Sequence, residues 1–310
     1  MDSVVTLNGV NKNFGNMQVI RDLSFTVNRG EIFGLLGPNG AGKTTTLRMI
    51  SCLLAPSSGE IDILGHRVGK DNDRIRGLIG AVTESPGHYE KLTALQNLNF
   101  FGSCYQMTKA KKNERIEYLL HLFDLWDRRH DPVSRYSKGM KQKLSIARAL
   151  LPDPKVLLLD EATANLDPVN LKKMKDLVKE LASNGKTIIY CSHSLSEIEQ
   201  LCNRFAITNG SIVSVTTPEK FREEWSSHNV VLETNGEREI INAILSKYSD
   251  HLDFKWHQDK IYLQIADSEK TNPLIIRDLV HNSIEVKFIS KAELTLEDAY
   301  LSMIKEKRVK

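Results

Sequence analysis

The fold is decided by one segment, Ile32-Phe33-Gly34-Leu35-Leu36-Gly37-Pro38-Asn39-Gly40-Ala41-Gly42-Lys43-Thr44. Its apolar beginning, Ile32–Leu36, is typical of a strand that is buried on both faces of a parallel sheet. A helix is predicted to follow, with Leu47, Ile50 and Leu54 on its buried face, and to stop near Pro56. Strand, glycine-rich turn and amphipathic helix together predict an α/β domain.

The turn itself matches the pattern GxxxxGK[ST] in full. Glycines let backbone N–H groups turn towards phosphate oxygens, and the N-terminus of the following helix adds positive potential. Because a buried strand and a helix flank it, an ordinary glycine-rich turn is the weaker reading. The turn therefore predicts the P-loop of a nucleoside triphosphatase, with Lys43 on the β- and γ-phosphates and Thr44 on Mg²⁺. The predicted nucleotide-binding residues here are Gly37, Asn39, Gly40, Ala41, Gly42, Lys43, Thr44 and Thr45.

A second apolar run, Val156–Leu159, leads directly into Asp160 and Glu161. Carboxylates at the C-terminal end of a buried strand lie at the ligand-binding edge of an open α/β sheet. Asp160 is expected to hold Mg²⁺ and Glu161 to polarise the attacking water. The pattern by itself also fits a strand that ends in a capped turn, and the upstream P-loop decides for the catalytic reading.

Two further segments predict helix starts. Ser137 precedes a helix whose apolar stripe begins at Met140, and Asp167-Pro168 is a capping carboxylate followed by proline. The second helix is predicted to end at Gly185, before a strand at Thr187–Cys191. From spacing alone, Ser137–Gln142 reads as the N-capped start of a surface helix.

Taken in order, five motifs resemble the ATPase domain of ABC transporters over roughly residues 3–215. They are Gly37–Thr45, Ser137–Gln142, Leu157–Glu161, Ala164-Asn165-Leu166-Asp167 and Ser192-His193. The resemblance implies a dimer in which two subunits close head to tail around two ATP molecules. It also implies an integral-membrane permease, encoded as a separate chain, as the partner that ATP binding and hydrolysis drive.

The same resemblance assigns roles to single residues. A signature motif of Ser137, Lys138, Gly139 and Met140 would contact the γ-phosphate of the ATP held by the other subunit. His193 would contact the γ-phosphate, Asp167 would lie in the loop that links the two sites, and Phe14 would stack on adenine. Glu84 occupies the position that usually holds a glutamine sensing Mg²⁺ and the permease. Glu161, His193 and Lys43 are thus the expected catalytic residues.

The sequence departs from the common family pattern at three points, and these indicate one branch of the family. The signature reads Ser-Lys-Gly-Met rather than Ser-Gly-Gly-Gln, Glu84 replaces the glutamine, and Ala162 replaces the frequent proline. The first two are familiar in bacterial exporters whose ATPase is a separate chain, similar to drug, bacteriocin and sodium efflux systems. Leu294–Leu301 resembles the closing segment of such exporter ATPases. An exporter is therefore expected rather than an importer.

The chain is expected to form two domains. Strand–helix alternation predicts an α/β domain at 1–217, and the resemblance implies that it is an ABC ATP-binding domain with a helical subdomain at about 88–151. Short alternating runs such as Lys260–Ile265 predict a small α+β accessory domain at 218–310. The fold class is thus α/β, a P-loop NTPase with a C-terminal appendix.

Bulk composition fits a soluble protein, and the resemblance implies a location at the cytoplasmic face of the membrane, peripheral through the permease. Of the 310 residues, 41% are hydrophobic and 26% charged, and the net charge of +3 is too mild to indicate nucleic acid as a partner. The sequence contains no apolar run of the roughly 18 residues that a spanning helix needs, and no secretory signal is expected. Four cysteines without a CxxC pair predict reduced thiols.

Two other functions stay open at this stage. A soluble ABC ATPase acting on the ribosome or on DNA would usually carry two ATPase domains or long coiled coils, and the sequence has one P-loop and no sustained heptads. A catalytically poor module that binds the transported compound is disfavoured by the intact set Lys43, Asp160, Glu161 and His193. Whether the second ATPase subunit is identical or only related is left open.

Overall fold

The computed structural model describes residues 2–83, 87–163, 166–225, 230–257, 259–292, 296–297 and 300. The chain divides into two compact units, Met1–Pro218 and Glu219–Lys310. Each unit has its own sheets and its own set of buried apolar side chains. Within the described residues, no helix combines the length and the apolar character needed to cross a bilayer.

The first unit contains two sheets. Its strands are β1 Ser3–Phe14, β2 Met17–Asn28, β3 Ile32–Leu36, β4 Ser58–Ile63, β5 His66–Arg67, β6 Ile79–Val82, β7 Val156–Asp160, β8 Thr187–Ser192, β9 Arg204–Thr208 and β10 Ile212–Thr216. One sheet is antiparallel with the order β2-β1-β4-β5, and the other has the order β10-β9-β3-β8-β7-β6. In the second sheet the neighbours are parallel except for the edge pair β10–β9.

Three central strands of the larger sheet, β3, β7 and β8, have every residue buried. This confirms the reading of the apolar runs as strands covered on both faces. Their register pairs Leu36 with Ser192 and Asp160 with Cys191. The three C-terminal ends therefore meet at one edge of the sheet, and the segments that follow them emerge side by side.

Among the described residues, eight α-helices begin in the first unit. They are α1 Lys43–Ile50, α2 Asn72–Leu78, α3 Ala94–Cys104, α4 Lys109–Leu122, α5 Lys138–Leu150, α6 Pro168–Ser183, α7 Leu195–Leu201 and α8 Pro218–Trp225, the last of which crosses the boundary between the units. The predicted helical region contains α3, α4, α5 and two short 3₁₀ turns. The expected continuation of α1 to Leu54 is wrong, because the helix ends at Ile50 and Cys52 takes a left-handed φ of 58°. A non-glycine residue in that region breaks the helical path.

Both predicted caps are confirmed. Ser137 accepts a hydrogen bond from the N–H of Met140 at 3.2 Å, at the start of α5. Asp167 accepts from the N–H groups of Val169 and Asn170, each at 3.1 Å, and Pro168 occupies the first turn of α6. A side-chain oxygen at this position satisfies N–H groups that have no partner within the helix. The Asn170 side-chain amide, followed by these N–H groups, donates to the Asp167 carboxylate and lowers its pKa.

The second unit is an antiparallel sheet with two helices of its own. Its strands are β11 Val230–Asn235, β12 Leu252–His257, β13 Lys260–Ile265 and β14 Glu285–Lys291, in the order β12-β13-β11-β14, and the helices are α9 Arg238–Ser246 and α10 Ser268–His281. The buried positions of β13 are Ile261, Leu263 and Ile265, which alternate with more exposed residues. They pack against Ile244 and Ile275 of the two helices.

The cysteines are free thiols, with Cys104 exposed and Cys52, Cys191 and Cys202 buried. Burial raises the pKa of the Cys191 and Cys202 thiols. A buried neutral thiol packs as a small apolar side chain.

Glycine is required where β6 approaches α5. A Cβ on Gly80 would collide with the carbonyl oxygen of Ala149 and lie 3.0 Å from Cγ of Pro154. We predict that Gly80→Ala lowers the free energy of unfolding by about 1–3 kcal/mol, because neither backbone can give way easily. Urea denaturation of the full chain measures this change.

Gly77 provides the matched control. It lies inside α2, and no described atom is within 4 Å of a Cβ built on it. Gly77→Ala should raise the free energy of unfolding by about 0.5–1 kcal/mol through helix propensity. Equal stabilities of the two variants would contradict the close approach of β6 to α5.

Candidate functional site

A cavity of about 900 Å³ lies at the edge where β3, β7 and β8 end. Its position follows from the register of the three strands, since parallel strands present their C-terminal ends together. The described residues that line it are Met17, Val19, Asn39, Gly40, Ala41, Gly42, Lys43, Thr44, Thr45, Asp160, Glu161, Thr163, Leu166, Leu171, Ser192, His193, Ser194 and Glu197.

The glycine-rich loop forms one wall of the cavity. Gly40 and Gly42 have φ values of 84° and 87°, which favour glycine, and Gly37 has no room for a side chain against the carbonyl oxygen of Thr208. The Lys43 ammonium is 7% exposed and donates to the carbonyl oxygens of Gly37 at 2.7 Å and Pro38 at 3.2 Å. The loop thus holds a nearly buried positive charge beside the N-terminus of α1, an arrangement that suits phosphate oxygens.

Thr44 and Asp160 join the loop to the sheet. The Thr44 hydroxyl donates to Oδ2 of Asp160 at 2.7 Å, and Asp160 is 3% exposed at the end of β7. Mg²⁺ prefers a few such oxygens together with water and substrate phosphates. Among the described residues, no cluster of three or more His, Cys, Asp or Glu side chains could hold a metal by itself. The donor set therefore fits Mg²⁺ shared with a phosphate substrate rather than a closed metal cage.

Glu161 and His193 face each other across the cavity. Nδ1 of His193 is 3.0 Å from both carboxylate oxygens of Glu161. The His193 side chain is 64% exposed, and the Glu161 side chain is 16% exposed. Glu161 has a left-handed φ of 50°, and its N–H donates to the carbonyl oxygen of Cys191 at 3.1 Å. Such a conformation costs about 1–3 kcal/mol for a non-glycine residue and persists only where neighbours enforce it.

The structure brings together the predicted residues Lys43, Thr44, Asp160, Glu161 and His193, but not the signature motif. Among the described residues, the cavity wall does not include Ser137, Lys138, Gly139 or Met140. Gly139 instead lines a separate cavity of about 80 Å³, and a Cβ on it would lie 3.3 Å from Nδ2 of Asn170. The start of α5 thus faces α6 rather than the P-loop of its own chain.

Of three other predicted residues, Phe14 and Asp167 do not line the cavity, and Glu84 is not among the residues that the structure describes. Phe14 is 49% exposed at the end of β1, and the described wall on that side is formed by Met17, its cross-strand partner, and Val19. Asp167 caps α6 and accepts a hydrogen bond from the Asn170 amide at 2.6 Å. Glu84 lies outside the described residues, as does most of the segment 294–301. The roles of Phe14, Asp167 and Glu84 stay predictions.

Sequence reasoning assigned no role to four polar residues of the cavity: Thr163, Ser192, Ser194 and Glu197. Ser194 and Glu197 have the spacing of a helix capping box, which favours a structural role for the glutamate. In the structure Ser194 does accept from the N–H of Glu197 at 3.4 Å, but the Glu197 carboxylate turns towards Thr163 and Ser192 instead. The sequence therefore contained a pattern at Glu197, but that pattern indicated a helix cap rather than a residue of the cavity.

Comparisons with known proteins agree with this geometry. A family model described as ABC transporter matches residues 20–164. An uncharacterized ABC transporter ATP-binding protein of Bacillus subtilis strain 168, YhcH, is 38% identical over 99% of this chain and 97% of its own length. A bacitracin transport ATP-binding protein of Bacillus licheniformis, BcrA, is 33% identical over 98% of both chains.

Solved structures show the same fold. A dimeric ATP-binding cassette, MJ0796, in a post-hydrolysis state with ADP and Pi, is 27% identical and superposes with a TM-score of 0.62. The match covers 69% of this chain and 98% of that one. The predicted α/β P-loop fold is confirmed.

Loss of the buried Lys43 side chain should weaken nucleotide binding. We predict that Lys43→Ala weakens ATP binding by about 10-fold or more, since a hydrogen bond to a charged group contributes about 1.5–3 kcal/mol. Titration of the purified chain with a fluorescent ATP analogue measures the effect. Lys70→Ala, at an exposed position outside the described cavity wall, should bind as the wild type does. Unchanged affinity of Lys43→Ala would contradict the assignment of the loop.

Proposed function

Because the chain belongs to the ABC transporter ATP-binding proteins and is an ATPase of that family, we propose that it powers export through a separate membrane permease. The observation that carries the proposal is the single cavity that collects Lys43, Thr44, Asp160, Glu161 and His193. These residues come from a loop and two strand ends far apart in the sequence. Together they supply a phosphate cradle, oxygens for a metal and an acid–imidazole pair.

We assign the binding roles as follows. Lys43 and the loop N–H groups hold the β- and γ-phosphates, with Asn39, Gly40, Ala41, Gly42 and Thr45 forming the rest of the cradle. Thr44 and Asp160 hold Mg²⁺. When bound, the metal neutralises the charge on the β- and γ-phosphate oxygens. The contact between Thr44 and Asp160 supports this assignment, because it already places both oxygens beside Lys43.

Hydrolysis depends on Glu161 in this proposal. Its carboxylate accepts a proton from, or orients, the water that attacks the γ-phosphate, and such positioned groups contribute about 10²–10⁴-fold to rates. His193 contributes in two ways: Nδ1 fixes the carboxylate at 3.0 Å, and the exposed ring reaches the γ-phosphate. The left-handed conformation of Glu161 aims its side chain into the cavity rather than along the sheet.

The active unit is proposed to be a dimer of this chain with an identical or related subunit. The start of α5, which carries Ser137, Lys138, Gly139 and Met140, faces away from the cavity of its own chain. These residues would therefore contact ATP held by the partner subunit, where the capped helix N-terminus meets the γ-phosphate. The dimeric cassette with bound ADP and Pi supports this arrangement.

The permease is proposed to be an integral-membrane protein that holds the ATPase at the cytoplasmic face of the membrane. Relatives that match almost the whole chain serve bacitracin transport, linearmycin resistance and daunorubicin resistance, according to their names. Each is an ATP-binding protein and covers the second unit as well as the first. On the basis of these names, we propose that this chain drives transport of an antibiotic-like compound out of the cell.

Replacement of the carboxylate at the strand end should separate binding from turnover. Glu161→Gln keeps the shape of the side chain but removes its basicity, so we predict intact ATP binding, a fall in turnover of about 10²-fold or more, and a dimer stabilised by ATP. Phosphate release and light scattering after gel filtration measure the two effects. Glu180→Gln, at an exposed position of α6, is the control and should behave as the wild type does. Turnover near the wild-type rate in Glu161→Gln would exclude Glu161 as the base.

Capture of the partner tests the transport proposal directly. Tagged Glu161→Gln chain with ATP should retain a polytopic membrane protein from detergent-solubilised membranes of the native host, as identified by mass spectrometry. Lys43→Ala under the same conditions is the control and should retain less of it. Recovery of ribosomal or DNA-associated proteins without a permease would contradict the proposal.

A further inference from the structure

A polar network in the wall of the cavity centres on Glu197 of α7. Oε1 of Glu197 accepts from the Thr163 hydroxyl at 2.8 Å. Oε2 accepts from the hydroxyls of Tyr190 at 2.8 Å and Ser192 at 2.7 Å. Thr163 and Tyr190 also contact each other at 2.5 Å. Both carboxylate oxygens are thus occupied by hydroxyls.

These hydroxyls come from the turn that carries Glu161 and from the end of β8, directly before His193. Thr163 follows Glu161 by two residues, and Ser192 directly precedes His193. Tyr190 is fully buried in β8, which gives the network a rigid base. One carboxylate therefore ties the turn after β7 to the end of β8.

The conformation of Glu161 requires such a tie. Its left-handed φ of 50° is strained, and a strained residue keeps its conformation only when its neighbours hold it. The N–H of Glu161 is held by Cys191 at one side of the turn. The bond from Thr163 to Glu197 holds the other side, two residues later.

A role for Glu197 as a helix cap alone does not fit its contacts. The N–H of Ser194 donates to Ser192 at 3.0 Å, so it is satisfied by a hydroxyl rather than by the Glu197 carboxylate. The Lys43 ammonium donates to carbonyl oxygens of the P-loop. These hydrogen bonds of the phosphate-binding loop do not involve Glu197.

We propose that Glu197 is a positioning residue of the ATPase: through Thr163 and Ser192 it holds the turn after β7 and the end of β8 so that Glu161 and His193 keep their 3.0 Å contact. The proposal rests on the catalytic roles assigned to Glu161 and His193 above. Because Glu197 acts on this pair and not on the P-loop, its loss changes turnover and leaves ATP affinity nearly intact.

The first test compares three variants of the full chain. Glu197→Ala should lower kcat by about 10-fold or more, since small misplacement of reacting groups costs up to about 10²-fold. The dissociation constant of ATP should stay within about threefold of wild type. Glu197→Gln should recover kcat to within about threefold, because an amide can both accept from and donate to hydroxyls. Glu180→Ala is the control for loss of a glutamate at an exposed site.

A second substitution reaches the network from the other end. Thr163→Val keeps the shape of the side chain, removes the hydroxyl and should lower kcat with ATP affinity unchanged. If Glu197→Ala fails to fold, Thr163→Val still tests the positioning role of Glu197. In a double-mutant cycle, adding Glu197→Ala to His193→Ala should lower kcat by less than about threefold further, because both act on one unit.

The outcomes separate this proposal from the one on which it rests. Wild-type kcat in Glu197→Ala or Thr163→Val, with Glu161→Gln inactive, overturns the positioning role alone. Full additivity with His193→Ala also overturns it, as does a parallel loss of ATP affinity and kcat. Wild-type turnover in Glu161→Gln overturns the catalytic assignment and the positioning role together.

Discussion

Everything at the site depends on the parallel register of three buried strands. Leu36 lies beside Ser192, and Asp160 beside Cys191, so the P-loop, Glu161 and His193 leave the sheet at adjacent points. A shift of one strand by one residue would turn its side chains to the opposite face. The strands are buried on both faces, so such a shift would force the close-packed side chains on both sides of the sheet to repack.

The second constraint is the handling of charge at this edge. Lys43 and Asp160 are both nearly buried, which is costly unless polar groups surround them. Loop carbonyls satisfy the ammonium, and the Thr44 hydroxyl meets the carboxylate. The two charges are consequently held in place by hydrogen bonds of the protein itself, as electrostatic preorganisation requires.

Local patterns were enough to predict β3, the loop, β7 and the caps at Ser137 and Asp167, because each is determined within a few residues. The fold class follows from them together with the family resemblance. The strand order β10-β9-β3-β8-β7-β6 and the contact of Thr163 with Glu197 join distant segments, so no local pattern contains them. The end of α1 was missed for another reason, since the left-handed Cys52 interrupts an apolar stripe that itself continues to Leu54. The placement of Ser137 away from its own P-loop likewise required tertiary packing.

The close approach of Gly80 to Ala149 has a mechanical consequence. It pins the C-terminal end of α5 against β6, while Ser137 lies at the other end of a helix of 13 residues. At about 1.5 Å per residue, α5 is a lever arm of roughly 20 Å. A tilt of about 5° at the pinned end would carry Ser137 through roughly 1.7 Å, as simple trigonometry on that length shows. Small changes at the sheet are therefore magnified at the far tip of α5.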